Sequence, residues 1–209
     1  NYRVDYVTAH GAAPVSQPFT LSDVMQGEAR ISPDIPTETG YEFRSWLIEN
    51  NNFGKTFLSG ELTDNTKNSI PRALFVESAT DECGVATANA QWNKLYRLNF
   101  DLGGGTYDAG AKNSIDPLNF TFDEGKTSAA LSEIDVTLPT LSKDDGSAFD
   151  KWQLEIRDGE GHLTKAIAFN ADSIPLGEFV LLGDRFTATL RALWNDPAAH
   201  RVPYRPTAD

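Results

Sequence analysis

The stretch FDLGGGTYD, Phe100–Asp108, sets three glycines, a threonine and two aspartates around the end of a strand-like run. Those residue types, in that order, are what a loop folded around a nucleotide phosphate uses. Phosphate chemistry would also need a second phosphate loop, an adenosine pocket, a metal-binding acid and a far larger domain. The chain holds neither a G-x-x-x-x-G-K-[ST] string nor a dinucleotide G-x-G-x-x-G fingerprint. Three consecutive glycines are read instead as a sharp turn, because glycine alone tolerates φ > 0 at several successive positions.

Other chemistry-bearing residues are scattered. His10, His162 and His200 show no H-x-x-x-H spacing and no nearby cysteine, so a transition-metal site is not expected. Asp144, Asp145 and Asp150, or Asp158 and Glu160 between Gly159 and Gly161, could offer oxygens to Ca²⁺, but neither has the EF-hand spacing. Both read as solvated turns. A nucleophile elbow of the G-x-S-x-G type does not occur. Cys83 is the single cysteine, which excludes a disulfide within the chain and a Cys-rich zinc site. No catalytic, cofactor-binding or metal residues are therefore assigned, and no cofactor is expected. Tyr107, Phe53, Phe57 and Tyr204 are the aromatic residues offered as exposed contacts for a ligand.

With 209 residues and 40% hydrophobic content the chain can build one large core or two smaller ones. Its net charge of −12 argues against nucleic acid and anionic membrane surfaces, which need clustered Lys and Arg. The acidity is spread over both halves, 12 acidic against 7 basic residues before position 95 and 18 against 11 after it. No apolar run approaches the roughly 18 residues a membrane span needs. The chain opens at Asn1 without a signal-like segment. It reads as a piece of a longer protein.

The elements that position these residues come in two sets. Trp46 and Trp92, then Trp152 and Trp194, form pairs 46 and 42 residues apart. Gly40-x-x-Phe43-x-x-Trp46 repeats as Gly146-x-x-Phe149-x-x-Trp152, each after a Pro-Thr step at Pro36 and Pro139. ATANAQW (86–92) matches ATLRALW (188–194), and YRVDY (2–6) matches YRLNF (96–100). Four landmarks in the same order define two copies, 1–94 and 95–195, with 196–209 a Pro-containing tail or linker. The tryptophans are read as core anchors, since large aromatics at recurring positions are packing. Period-two alternation predicts strands at Tyr2–Tyr6, Tyr96–Phe100 and Phe186–Trp194. Further strands are expected at Phe19–Val24, Asn119–Phe122, Ser132–Leu138, Lys151–Ile156 and Thr164–Phe169. A short helix is expected near Arg72–Ala79, and Phe149–Ile156 could instead be a helical turn. Asn50–Asn52, Asp144–Gly146 and Asp158–Gly161 carry dense turn chemistry. The fold class is mainly β, with long loops and little helix.

The order of landmarks resembles the Listeria–Bacteroides repeat, the B-repeat of internalin-type surface proteins. The likeness is carried by YRVDYVTAHGAAPV, PTETGYEFRSWLIENNNFGKTF and LTDNT in the first copy. In the second it is carried by YRLNFDLGGGTYD, LPTLSKDDGSAFDKW and FTATLRALW. The resemblance implies two tandem β-grasp-like (ubiquitin-like) modules of a secreted or wall-attached bacterial protein. Their role would be spacing and adhesion, without catalysis, as a monomer whose partners are neighbouring domains and a host or cell-surface protein or glycan. An accessory region of a larger secreted enzyme is the alternative. Both copies are longer than the usual module, with extra residues at Ser69–Val85 and Gly159–Gly177. Those insertions are loops or recognition surfaces. An isopeptide bond between Lys and Asn side chains is a further open possibility for domains of this kind.

Overall fold

Period-two burial organises the backbone of the computed structural model, which describes residues 1–77, 84–169 and 173–195. The chain divides into two compact units, Asn1–Lys94 and Leu95–Asp209, each mainly β.

In the first unit, β1 (Tyr2–Val7) buries Tyr2, Val4 and Tyr6 on one face. It pairs antiparallel with the short β2 (Gln17–Phe19). The one α-helix among the described residues, α1 (Leu21–Met25), follows. Thr20 caps it: Thr20 Oγ1 accepts from Asp23 N at 3.1 Å, and Asp23 Oδ2 accepts from Thr20 N at 2.7 Å. The strand expected over Phe19–Val24 is thus a strand end and a helix. Next come β3 (Tyr41–Asn50) and β4 (Phe53–Leu58), a hairpin closed by Asn51 and Asn52 at φ 48° and 65°. Two consecutive positive φ values give the turn a twist that matches the flanking strands, and asparagine tolerates them. The helix expected near Arg72–Ala79 is one 3₁₀ turn, Arg72–Leu74, then β5 (Val76–Glu77). Pro71 starts that turn, and the extended conformation resumes at Phe75.

β6 (Gly84–Asp101) is continuous in the chain; its first part completes the first sheet and its last part begins the second. The first unit's strand order is β2–β1–β6–β3–β4, with β1 and β6 parallel and β5 on the start of β6.

The second unit continues with β7 (Leu118–Asp123), β8 (Ser128–Ala130), β9 (Ala148–Arg157), β10 (Leu163–Ala168), β11 (Ser173–Pro175), β12 (Val180–Leu182) and β13 (Arg185–Asn195). Its order is β7–β6–β13–β9–β10, with β6 and β13 parallel, β12 hairpinned onto β13 and β8 paired with β11 apart. The expected strand at Ser132–Leu138 is instead a 3₁₀ turn, Leu131–Ile134, ended by Asp135 at φ 55°. Ile134, Val136 and Leu138 pack on the core without pairing, which gave the sequence its misleading alternation. Phe149–Ile156 is strand, not helix. Leu163–Ala168, inside the expected insertion at Gly159–Gly177, is a sheet strand in the place β4 holds in the first unit.

Register ties the repeated landmarks together. Val4 faces Ala86 across the parallel pair of the first unit, and Leu98 faces Ala188 in the second. Phe43 faces Trp92 and Trp46 faces Ala90; Phe149 faces Trp194 and Trp152 faces Ala192. Each unit holds its own core, with Trp46 and Ile48 at the centre of the first and Leu98, Leu154 and Leu190 at the centre of the second.

Candidate functional site

Glycine geometry settles the role of the FDLGGGTYD stretch. Gly103 and Gly104 have φ 57° and 84°, and Gly105 lies under the Trp194 ring. A Cβ on Gly105 would stand 2.1 Å from Trp194 Cζ2, far inside contact distance. Trp194 Nε1 donates to Leu102 O at 3.0 Å, so the turn both shelters the indole and accepts its hydrogen bond. Gly103 N donates to Asp101 Oδ1 at 2.8 Å, which uses that carboxylate to hold the turn. The stretch is a socket for an indole, built from inside the unit.

The tryptophans are packing residues. Trp46, Trp92 and Trp152 are 0%, 3% and 6% exposed, and Trp194 is half-buried against its core. Of the aromatics expected at the surface, Phe57 is buried at 1%, because its position in β4 faces Trp46. Tyr107 is half-buried, with its hydroxyl on Ser114 O and Lys112 Nζ 5.4 Å from the ring centre. Phe53 is 47% exposed at the start of β4. Tyr204, His200 and Cys83 lie outside the described residues.

His10 stacks on Tyr41 with centroids 3.8 Å apart and meets Trp92 edge-on. His162 is brought to the acidic β9–β10 turn. Ligand atoms of Asp158, Glu160 and His162 lie within 4.8 Å of one another, a grouping only half visible in the sequence, where Asp158 and Glu160 stood alone. Asp158 Oδ1 accepts from Glu160 N and His162 N at 3.1 and 2.7 Å, and Asp158 Oδ2 contacts His162 Nδ1 at 3.2 Å. Those bonds fold the turn. Asp144, Asp145 and Asp150 do not converge: Asp145 binds Ser147 N and Lys143, while Asp150 pairs with Lys151. Ser147, through its side chain and its backbone N–H, and then Lys143 hold the Asp145 carboxyl down at about 2.

A cleft with convergent polar groups belongs to the first unit. It measures about 650 Å³ and opens between the β3–β4 turn and the segment 72–77, lined by Asn50, Asn51, Arg72, Phe75, Val76 and Glu77. Residues 72–77, within the expected Ser69–Val85 insertion, supply one wall. Asn50 Nδ2 donates to Ala73 O at 3.2 Å and fastens the two walls together. Arg72 Nε and Nη2 both donate to Glu77 Oε1 at 2.9 Å, and Tyr2 Oη donates to the same oxygen at 2.7 Å. Tyr2 and Arg72 hold the Glu77 carboxyl below its ordinary range, so it is ionised at neutral pH. Arg72 Nη1 also approaches Met25 Sδ at 3.1 Å. A second cleft of about 310 Å³ shares Asn50 and Asn51 and adds the exposed Phe53. The sequence marked this place by the length of the insertion, the Asn50–Asn52 turn and the exposed Phe53, but did not bring them together.

Comparison with protein-family models, with curated proteins and with solved structures gives no match to this chain. No described helix is long and apolar enough to cross a membrane.

Proposed function

We propose that the chain is a non-catalytic pair of β-grasp-like modules of the Listeria–Bacteroides repeat type, acting as spacer and adhesion region in a secreted or cell-surface bacterial protein. The supporting observation is the shared register. The same strand order recurs in both units, and the repeated landmarks face one another in the same pairs. A mixed five-strand sheet with parallel first and last strands is what a β-grasp module requires. Spacing needs only units with their own cores, and each unit has one. Adhesion needs a recognition surface, for which the insertion-built cleft of the first unit is the candidate.

Brief protease treatment of intact source cells tests the location. Peptides of this chain should appear in the released fraction while cytosolic markers stay inside. Recovery of the chain only after lysis, in the cytosolic fraction, overturns the reading.

A further inference from the structure

We propose that the cleft between the β3–β4 turn and residues 72–77 binds a neutral saccharide. The proposal rests on the adhesive part of the function proposed above and names its ligand class.

Charge sets the class. Arg72 and Glu77 neutralise one another inside the cleft, at 2.9 Å, on a chain of net charge −12. An anion would meet Glu77 and the acidic field of the whole chain, and a cation would meet Arg72. A neutral polar ligand meets neither penalty.

Hydrogen-bonding capacity narrows it to hydroxyls. Three donors converge on Glu77 Oε1, while Oε2 receives none among the described residues. Asn50 has committed its Nδ2 to Ala73 O, and its carbonyl oxygen receives no hydrogen bond among the described residues. Asn51 stands at the turn with both amide functions uncommitted among the described residues and its backbone at φ 48°. The cleft thus presents planar amide and carboxylate groups with acceptors in excess and at least one amide donor. Vicinal hydroxyls, which donate and accept from adjacent carbons, fit that set.

Apolar surface supplies the second half of sugar recognition. Val76 is 59% exposed at the cleft, and the adjoining depression brings the exposed Phe53 ring beside Asn50 and Asn51. The C–H face of a pyranose packs against such surfaces while its hydroxyls reach the amides. The walls are pre-set by the Asn50–Ala73 bond and by Tyr2 beneath Glu77, so little ordering is left to oppose binding.

The test is a titration of the ¹⁵N-labelled chain, followed by two-dimensional NMR, with neutral oligomers of glucose, xylose, mannose and N-acetylglucosamine, and with polygalacturonate as the anionic comparison. At least one neutral oligomer should shift the Asn51, Ala73, Val76 and Glu77 amides saturably, and polygalacturonate should not. Asn51→Gly deletes the amide while keeping the left-handed backbone. It should weaken binding about threefold to tenfold, the loss of one hydrogen bond. Glu77→Gln, which leaves Arg72 uncompensated, should weaken the neutral sugar and begin to admit polygalacturonate. The proposal is overturned by no saturable shift at about 10 mM of any neutral oligomer, a generous ceiling for a millimolar site. It is also overturned by polygalacturonate binding the unaltered cleft, or by unchanged affinity in both variants. Failure here with the chain still released from intact cells would remove this site and leave the surface location standing.

Discussion

The two units bury the second tryptophan of their repeated pair, Trp92 and Trp194, in different ways. In the second unit the Leu102–Gly105 turn takes the indole of Trp194: Leu102 O accepts from Nε1 at 3.0 Å, and Gly105 leaves room for the six-membered ring. In the first unit Trp92 Nε1 is buried without a hydrogen-bond partner among the described residues, and His10, lying on Tyr41, meets the ring edge-on. Gly11 stands at the position of Gly105 but serves a different contact, since a Cβ there would lie 2.4 Å from Thr37 O. One frame therefore holds two closures, one by hydrogen bond and one by an edge-on aromatic contact. The pairing of strands fixes where the tryptophan goes, and the turn after the first strand is free to adapt to it.

The largest effect that could break this comparison is steric. Gly105→Ala should destabilise the second unit by about 2–4 kcal/mol, because the ring cannot stay where the methyl must go. Chemical denaturation followed by Trp fluorescence would measure it. If Trp194 is the cause, Trp194→Phe, which removes the clashing six-membered ring, should recover part of the loss in the double variant. Additive losses would break the link between turn and indole.

A smaller effect sharpens the polar difference. Trp194→Phe should cost about 1 kcal/mol more than Trp92→Phe, since only the former gives up a made indole hydrogen bond, Leu102 O keeping the Gly105 N–H as its other donor. Equal costs would mean the two indoles are equivalent. His10→Ala should remove about 0.5–1.5 kcal/mol from the first unit through the lost stack on Tyr41. Its counterpart Gly104→Ala asks about backbone alone.

The smallest effect is a titration. Asp145 has an ordinary value of 3.8 and is held at about 2 by Ser147 and then Lys143. A carboxyl depressed by folding contributes stability above its unfolded value and loses it as pH falls through the folded one. Carbon-detected NMR should place its midpoint near 2, with the contribution disappearing between about pH 4 and 2. A midpoint near 3.8 would show that the Asp144–Gly146 turn is not held as described.

Much of the sheet was legible because a strand with one buried face shows period two, as Tyr2, Val4 and Tyr6 do. β3 escaped because a bulge between Phe43 and Ser45 places Ser45 and Trp46 in the core consecutively and breaks the alternation. Its hairpin turn was visible as three asparagines, yet the strands on either side were not. α1 is only five residues long, too short for a helical period to register; Thr20-x-x-Asp23 was its one signal. The cleft was the least legible feature. Its walls are some twenty residues apart in the chain, and the groups that matter, Asn51 and Glu77, acquire meaning only when Asn50 is tied to Ala73.

The central claim is that both units repeat one register, and cross-strand NMR contacts test it most directly. Contacts of Val4 with Ala86 and Phe43 with Trp92 should appear together with those of Leu98 with Ala188 and Phe149 with Trp194. A one-residue slip in either unit, pairing Trp92 or Trp194 with a neighbour of its phenylalanine, would contradict the account.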